Sequence, residues 1–355
     1  MKFLLAGNWI AQIYEQACAD ALSKLGVDVV RFAWKDYFEG WAGRLQEKFP
    51  VISPALLRLN RDFLIAVKEA KPDVVLVWRG AHVIPSTIRR LKLETNATLV
   101  SYNNDDPFGP RADVRVPWHH KILWRNYEQC LPEYDFNFVY RLVNVAEVIA
   151  ASGKNAHLLM PYFIPAIHRP MTLTETEQRT FNCDVVFVGH YEPDGRENYL
   201  RLLVKNGLRV RLFGGKYWTR KVLGELADYF GPVHTVVGEK YTAALCGAKI
   251  CLNFLSRLNR DTYTRRCFEI PACGRLLLSE RTKDLQGFFK ENEEAVFFSN
   301  PAELVEKALW LKRNPNEIER IALAGMRRVH ADGHSVDERM RQFLAIINGN
   351  SSLAV

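Results

Sequence analysis

The feature that most constrains this chain is an alternation of short apolar runs with longer helical stretches, made twice over. In the first half the runs fall at Phe3–Ala6, Val27–Phe32, Val74–Trp78, Thr98–Tyr102, Phe136–Tyr140 and His157–Met160. In the second half they fall at Asp184–Val188, Val210–Phe213, Thr235–Val237, Ile250–Phe254, Leu276–Leu278 and Ala295–Phe298. Runs this short, separated by helix-length segments, predict buried strands of parallel sheets joined by right-handed crossovers. The intervening stretches carry their own start and stop signals. Ile10–Leu25 ends at Gly26, Pro54–Ala70 opens behind Ser53 with proline at its first helical position, and Asn300-Pro301-Ala302-Glu303 has capping-box spacing.

At 355 residues the chain is long enough for two domains. Between the two runs of alternation, Pro161–Thr180 holds three prolines and a polar stretch without periodicity. The expected division is therefore a first domain over 1–165, a linker over 166–181, a second domain over 182–333 and a helix over 334–355 that packs back on the first domain. Both domains are expected to be doubly wound and Rossmann-like. Strand ends of both would then face a cleft able to hold a ligand.

Composition narrows the function. Hydrophobic content of 48% with 25% charged residues is that of a globular protein, and the apolar start MKFLLAG is too short for a leader. No window approaches the ~20 apolar residues of a membrane span, so a cytoplasmic location is expected. The net charge is +8, without a basic tail or a dense Lys/Arg block. It fits a basic soluble surface, attraction of anionic substrates, or peripheral contact with an acidic membrane face. No basic-aromatic module points to nucleic acid. The seven cysteines lack zinc-site spacing, so no metal site is expected. Neither half contains G-x-G-x-x-G or a P-loop, which disfavours a dehydrogenase or an NTPase.

The segment from Lys249 to Glu280 holds the densest chemistry. A buried strand runs into a polar loop with Asp261, then a helix start carrying Arg265, Arg266 and Glu269, closed by Gly274 before the next strand. This topology puts a helix N-terminus beside a strand's carboxyl edge, suited to a phosphorylated ligand. The Glu269 carboxylate can accept from two vicinal hydroxyls, as a ribose presents them. The alternative is an ordinary Arg265–Glu269 surface pair. Gly189 and His190 follow the Asp184–Val188 strand, with Arg196 within reach of a diphosphate. Phe213-Gly214-Gly215-Lys216 closes the following strand.

The run LNFLSRLNRDTYTRRCFEIPACGRLLLSERT, followed by EAVFFSNPAELVEKALWL and IALAGMRRVHADGHSVDERM, resembles the C-terminal domain of CgeB-like glycosyltransferases of the GT-B superfamily. PDVVLVWRG, SYNNDDPFG and YDFNFVYRLVN resemble the N-terminal part of that family. The resemblance implies two Rossmann-like domains of GT-B type, a nucleoside-diphosphate-sugar donor held mainly by the C-terminal domain, and no cofactor or metal. Many retaining members carry E-x7-E here. Glu269 matches the second carboxylate, on the donor ribose. Asp261 stands at the first, one methylene shorter, which leaves retention or inversion open. Arg265, Arg266, Arg196, Gly189, His190, Lys216 and Asn253 complete the implied donor-binding group.

In the first half, Asp105 and Asp106 lie at the carboxyl end of a strand, where a carboxylate can serve as general base on an acceptor hydroxyl. The alternatives are a turn-capping pair before Pro107, or His119 and His120 as the base. Arg44, Lys48, Arg58 and Arg61 are either a solvated face or a basic face near a membrane. The implied activity is transfer of a sugar to a saccharide, protein or lipid-linked acceptor. A non-catalytic nucleotide-sugar-binding protein and a sugar-nucleotide epimerase are the alternatives.

Overall fold

The computed structural model describes residues 1–109 and 116–349. The chain forms two compact units, one of Met1–Pro161 with Val336–Val355 and one of Tyr162–Ser335. The first holds six parallel strands in the order β2-β1-β3-β4-β5-β6: β1 Lys2–Gly7, β2 Asp28–Ala33, β3 Val74–Trp78, β4 Thr98–Asn103, β5 Phe136–Val139 and β6 Ala156–Leu158. The second holds five in the order β11-β10-β9-β7-β8: β7 Cys183–Val188, β8 Val210–Phe213, β9 Ala248–Asn253, β10 Leu276–Glu280 and β11 Val296–Phe298.

Helices cover both faces of each sheet's centre, so the central strands are apolar on both sides. All of Val74–Trp78 and all of Cys183–Val188 are buried. One core packs Phe63, Leu59 and Val67 of the Pro54–Ala70 helix against β1 and β3. The other packs Leu200 and Leu203, from the helix after β7, against β7 and β9. Each sheet has a switch point, where the chain leaves one strand to either side: between β1 and β3 in the first unit, and between β7 and β9 in the second. Crevices at such points are where open α/β sheets bind ligands.

Local signals behave as their chemistry dictates. Ser53 accepts from the Leu56 N–H at 3.2 Å, and Asn300 from the Glu303 N–H at 3.0 Å. Glu303 reaches back to the Ser299 N–H at 2.8 Å rather than to Asn300. The helix Val336–Ile347 belongs to the first unit, where the Phe343 ring meets Phe138 at 4.7 Å and Phe3 at 6.2 Å.

Four expectations need correction. Residues 166–181 are not a linker but part of the second unit. His168 is buried there, and Thr174 and Glu177 form a capping box that starts the helix Glu175–Phe181. No strand forms at Thr235–Val237. Gly231 and Gly238, both at positive φ, bracket this stretch, and its His234 carbonyl serves the Gly214 N–H instead of a ladder. The sequence over Lys221–Tyr229 predicts a single helix, but the chain breaks at Gly224 (φ 57) into Arg220–Leu223 and Leu226–Phe230. The helix Gly40–Lys48 was not expected, because its apolar residues face outward and two glycines dilute its propensity. Among the described residues no helix is long and apolar enough to cross a membrane.

Candidate functional site

At the switch point of the second unit, the carboxyl ends of β7 and β9 are tied together by Arg266, the first residue of the helix Arg266–Ala272. Its Nε donates to Asn253 Oδ1 at 2.8 Å, Nη1 to the Val188 carbonyl at 3.2 Å and Nη2 to the Phe254 carbonyl at 3.2 Å. The guanidinium thus bridges two strand ends through three acceptors. In this structure it is a clamp that shapes the crevice.

Gly189 follows β7 directly. A Cβ there would sit 2.7 Å from the Phe187 ring and 3.0 Å from Arg266 Nη1. Gly214 follows β8, and a Cβ there would fall 1.9 Å from the Gly189 carbonyl oxygen. The two glycines let the loops after adjacent strands touch, backbone to backbone. Trp218 fastens this contact by donating from Nε1 to the Gly189 carbonyl at 2.8 Å. His190 is exposed, with its ring 3.1 Å from Glu192 Oε1, and Lys216 is exposed with its ammonium over the Tyr217 ring. Both side chains face solvent on the loops after β7 and β8.

Glu269 lies one turn into the helix that Arg266 begins and is only 5% exposed. Its Oε1 accepts from Arg265 Nε at 2.9 Å and its Oε2 from the Tyr241 hydroxyl at 2.7 Å. His168 Nε2 stands 3.7 Å from Oε1. Burial raises the Glu269 carboxyl, but His168, Arg265 and the Tyr241 hydroxyl outweigh it, and its pKa falls below the ordinary value. Burial in turn lowers the His168 imidazole, and the permanent charge opposite Glu269 is Arg265 at 2.9 Å. The Arg265 guanidinium also covers the Tyr162 ring at 4.7 Å. The result is a buried, ionised carboxylate with lone pairs beyond those its partners use.

Sequence reasoning missed His168 and Tyr241. His168 stood in the supposed linker, and nothing in the spacing of either residue pointed to Glu269.

Two expected donor ligands are engaged internally. Arg196 is 2% exposed and forks onto Asp194, with Nε at 2.9 Å from Oδ1 and Nη2 at 2.6 Å from Oδ2, while Nη1 donates to the His190 carbonyl. It braces the loop after β7 instead of reaching into solvent for a diphosphate. Asn253 is fully buried and donates to Ser279 Oγ at 3.0 Å, while its Oδ1 accepts from Arg266. It knits β9 to β10 and to the clamp. Asp261 sits half-buried in the loop after β9, its N–H on the Ser256 carbonyl at 2.9 Å.

In the first unit the two adjacent aspartates part company. Asp106 is 0% exposed; its Oδ1 accepts from Asn144 Nδ2 at 3.0 Å and from the Phe108 N–H at 3.2 Å. It is a turn-capping residue, and burial removes it from the role of base. His120 is likewise buried, with Nε2 3.0 Å from the Asp106 carbonyl. Asp105 stays partly exposed and pairs with Arg79 Nη2 at 2.6 Å.

Arg79 follows β3 with a positive φ of 64°, and Trp9 follows β1 with a φ of 58°. Non-glycine residues at such angles beyond both strands of a switch point mark a built crevice. A cavity of about 260 Å³ lies there, walled by Trp34, Trp78, Glu15, Glu47, Asn8 and Arg79. Of the residues that line it, the sequence singled out Arg44 and Lys48 as part of a basic group. Among the described residues no three His, Cys, Asp or Glu side chains gather as a metal site would need.

Residues 196–345, under half of the chain, match a family model described as glycosyl transferase-like. No curated protein matches the chain in sequence. Solved structures match in fold. Sucrose-phosphate synthase from Thermosynechococcus elongatus aligns at 14% identity with a TM-score of 0.72, over 99% of this chain and 99% of that one. HepE of Anabaena, in complex with UDP and glucose, aligns at 10% identity with a TM-score of 0.67, over 98% and 100%. A glycosyltransferase from Rickettsia africae aligns at 11% identity with a TM-score of 0.66, over 99% and 98%. The fold is therefore that of the GT-B glycosyltransferase structures, two parallel-sheet α/β domains of six and five strands.

Proposed function

We propose that this chain is a glycosyltransferase, of the CgeB-like kind, that moves a sugar from a nucleoside-diphosphate-sugar to an acceptor hydroxyl. The observation that carries the reading is Glu269, a buried carboxylate held by Arg265 and the Tyr241 hydroxyl one turn into the helix beside the β7–β9 crevice, within the residues that the glycosyl transferase-like model matches. Its spare lone pairs suit the two hydroxyls of a ribose. HepE, of like fold, is known in complex with UDP-glucose, which supports a nucleotide-sugar donor.

In this reading the bond from the anomeric carbon to the diphosphate oxygen breaks as the acceptor oxygen bonds to that carbon. Lys216, His190 and the backbone of the loops after β7 and β8 stabilise the charge that develops on the leaving diphosphate, without a metal ion. Gly189 and Gly214 let that backbone come close. Asp105 takes the acceptor proton, if configuration inverts. The Arg79–Asp105 pair is the one observation that favours the alternative of a nucleotide-sugar-binding protein without transfer, since the carboxylate is already engaged by a guanidinium at 2.6 Å.

The test is release of nucleoside diphosphate from a panel of UDP-, GDP-, ADP- and TDP-sugars, with and without chelator, alongside thermal shifts by the same nucleotides. Ligand binding raises the melting temperature through linkage. Turnover that survives chelator supports the full reading. A shift without turnover across saccharide, protein and lipid-linked acceptors supports the alternative, and neither shift nor turnover refutes both.

A further inference from the structure

Of the four cations that the sequence suggested as a membrane-facing group, the structure separates two from two. The Arg58 guanidinium lies over the Tyr37 ring, and Arg61 donates to Asp62 at 2.9 Å. Arg44 and Lys48 belong instead to the helix Gly40–Lys48. There Trp41, Arg44, Leu45 and Lys48 stand at i, i+3, i+4 and i+7, which is one helical face. All four are exposed, Trp41 at 78%. The opposite side is pressed so closely to the protein that a Cβ at Gly43 would fall 2.2 Å from the Phe38 carbonyl carbon.

The next element to reach this surface repeats the arrangement. Trp118 and the helix His119–Cys130 present Trp118, Lys121, Ile122 and Arg125 at the same spacing. Trp118 is 72% exposed, Lys121 and Arg125 are exposed and Ile122 is half-buried. The two stripes adjoin, because the Trp118 ring stacks on Phe49, the residue after the first helix, at 5.3 Å and 22°. Each stripe reads tryptophan, cation, aliphatic, cation, and neither contains a carboxylate.

We propose that this double stripe docks the protein on a bilayer that carries anionic lipids. Tryptophans exposed to this degree are costly in water and favourable at the headgroup level of a membrane. Flanking lysines and arginines lay their stems along apolar surface and hold their charges among anionic headgroups. A protein partner fits less well, because the buried centres of protein interfaces are depleted in lysine. Arg44 and Lys48 also line the cavity between the ends of β1 and β3. Docking therefore sets the rim of that cavity at the headgroups. Resting on the transferase reading, this makes the acceptor class a hydroxyl carried on a membrane lipid.

The test is co-sedimentation of the full chain with phosphatidylcholine vesicles, with and without phosphatidylglycerol. Binding is expected only where the anionic lipid is present, and it weakens as salt is raised. Trp41→Ser with Leu45→Ser should reduce it about tenfold or more, by loss of apolar insertion. Lys121→Ala with Arg125→Ala, on the other helix, should do the same by loss of charge, again about tenfold or more. Absence of binding to anionic vesicles, or binding that both double variants leave unchanged, overturns the proposal. Sedimentation reads no turnover, so its failure leaves the transferase reading standing, and a failure of turnover leaves docking standing.

Discussion

Replacing Glu269 by glutamine keeps the side chain's length and one carbonyl oxygen while removing its charge. In the folded protein that oxygen can still accept from Arg265 Nε or the Tyr241 hydroxyl, which lie at 2.9 and 2.7 Å from the two carboxylate oxygens. A hydrogen bond to a charged acceptor contributes about 1.5–3 kcal/mol and a neutral one about 0.5–1.5, so the expected loss of stability is about 1–2 kcal/mol. For a unit of this size that lowers the melting temperature by about 2–8 °C. Glu269→Ala is expected to cost about 3–5 kcal/mol, because it leaves the Arg265 charge buried without its partner. The pH dependence has a defined sign. The folded pKa of Glu269 lies below its unfolded value, so its contribution is present above the ordinary carboxylate range and is lost as pH falls through the folded pKa. The glutamine variant should lack that part of the slope. If Glu269 also holds the ribose, glutamine weakens UDP binding by a further 1.5–3 kcal/mol, about 10–150-fold in Kd by isothermal titration. A variant that melts lower as described but binds UDP with unchanged Kd refutes the ribose role and leaves Glu269 a packing residue.

Asp105→Asn should lower turnover by about 10²–10⁴-fold with little change in melting temperature if Asp105 is the base. Asp106→Ala should instead lose about 1–3 kcal/mol by stranding the Asn144 amide and the Phe108 N–H. Gly214→Ala should destabilise the second unit by about 1–3 kcal/mol, since its Cβ would overlap the Gly189 carbonyl, as read by chemical denaturation. Burial, opposed by the hydrogen bond from its ring Nε2 to the Glu47 carbonyl and helped by Arg79, holds His82 down at about 4. The unfolded chain then binds the extra proton first, so stability falls by about 3 kcal/mol as pH drops from 6.5 to 4. His82→Gln should flatten that part of the urea-unfolding profile.

Much of the architecture was legible along the chain because its causes are local. Strand runs such as Val74–Trp78 are continuously apolar since both sheet faces are covered, and Ser53-Pro54 and Asn300-Pro301 announce helices by bonds within one turn. Errors arose where a local signal met a tertiary demand. Thr235–Val237 has strand composition, yet the carbonyl just before it, of His234, accepts from the Gly214 N–H, and Gly231 and Gly238 at positive φ bracket the stretch. The helix Gly40–Lys48 escaped notice because its Trp41 and Leu45 point outward, which inverts the usual sense of the periodicity.

The sequence by itself determined the fold class, two successive parallel α/β sheets, and it singled out Glu269, Gly189 and Asp105 as positions worth testing. Period, caps and glycines act over a few residues, so they can be read in order. Only the tertiary structure decided which charged and polar groups are already spent. Arg196 is given to Asp194, Arg266 to two strand ends, Asn253 to β10 and Asp106 to Asn144. It also brought His168 and Tyr241 to Glu269 from distant segments. A buried polar group must find a partner or bear the cost of desolvation. That partner is chosen by packing across the sheet, and residue spacing carries no record of the choice.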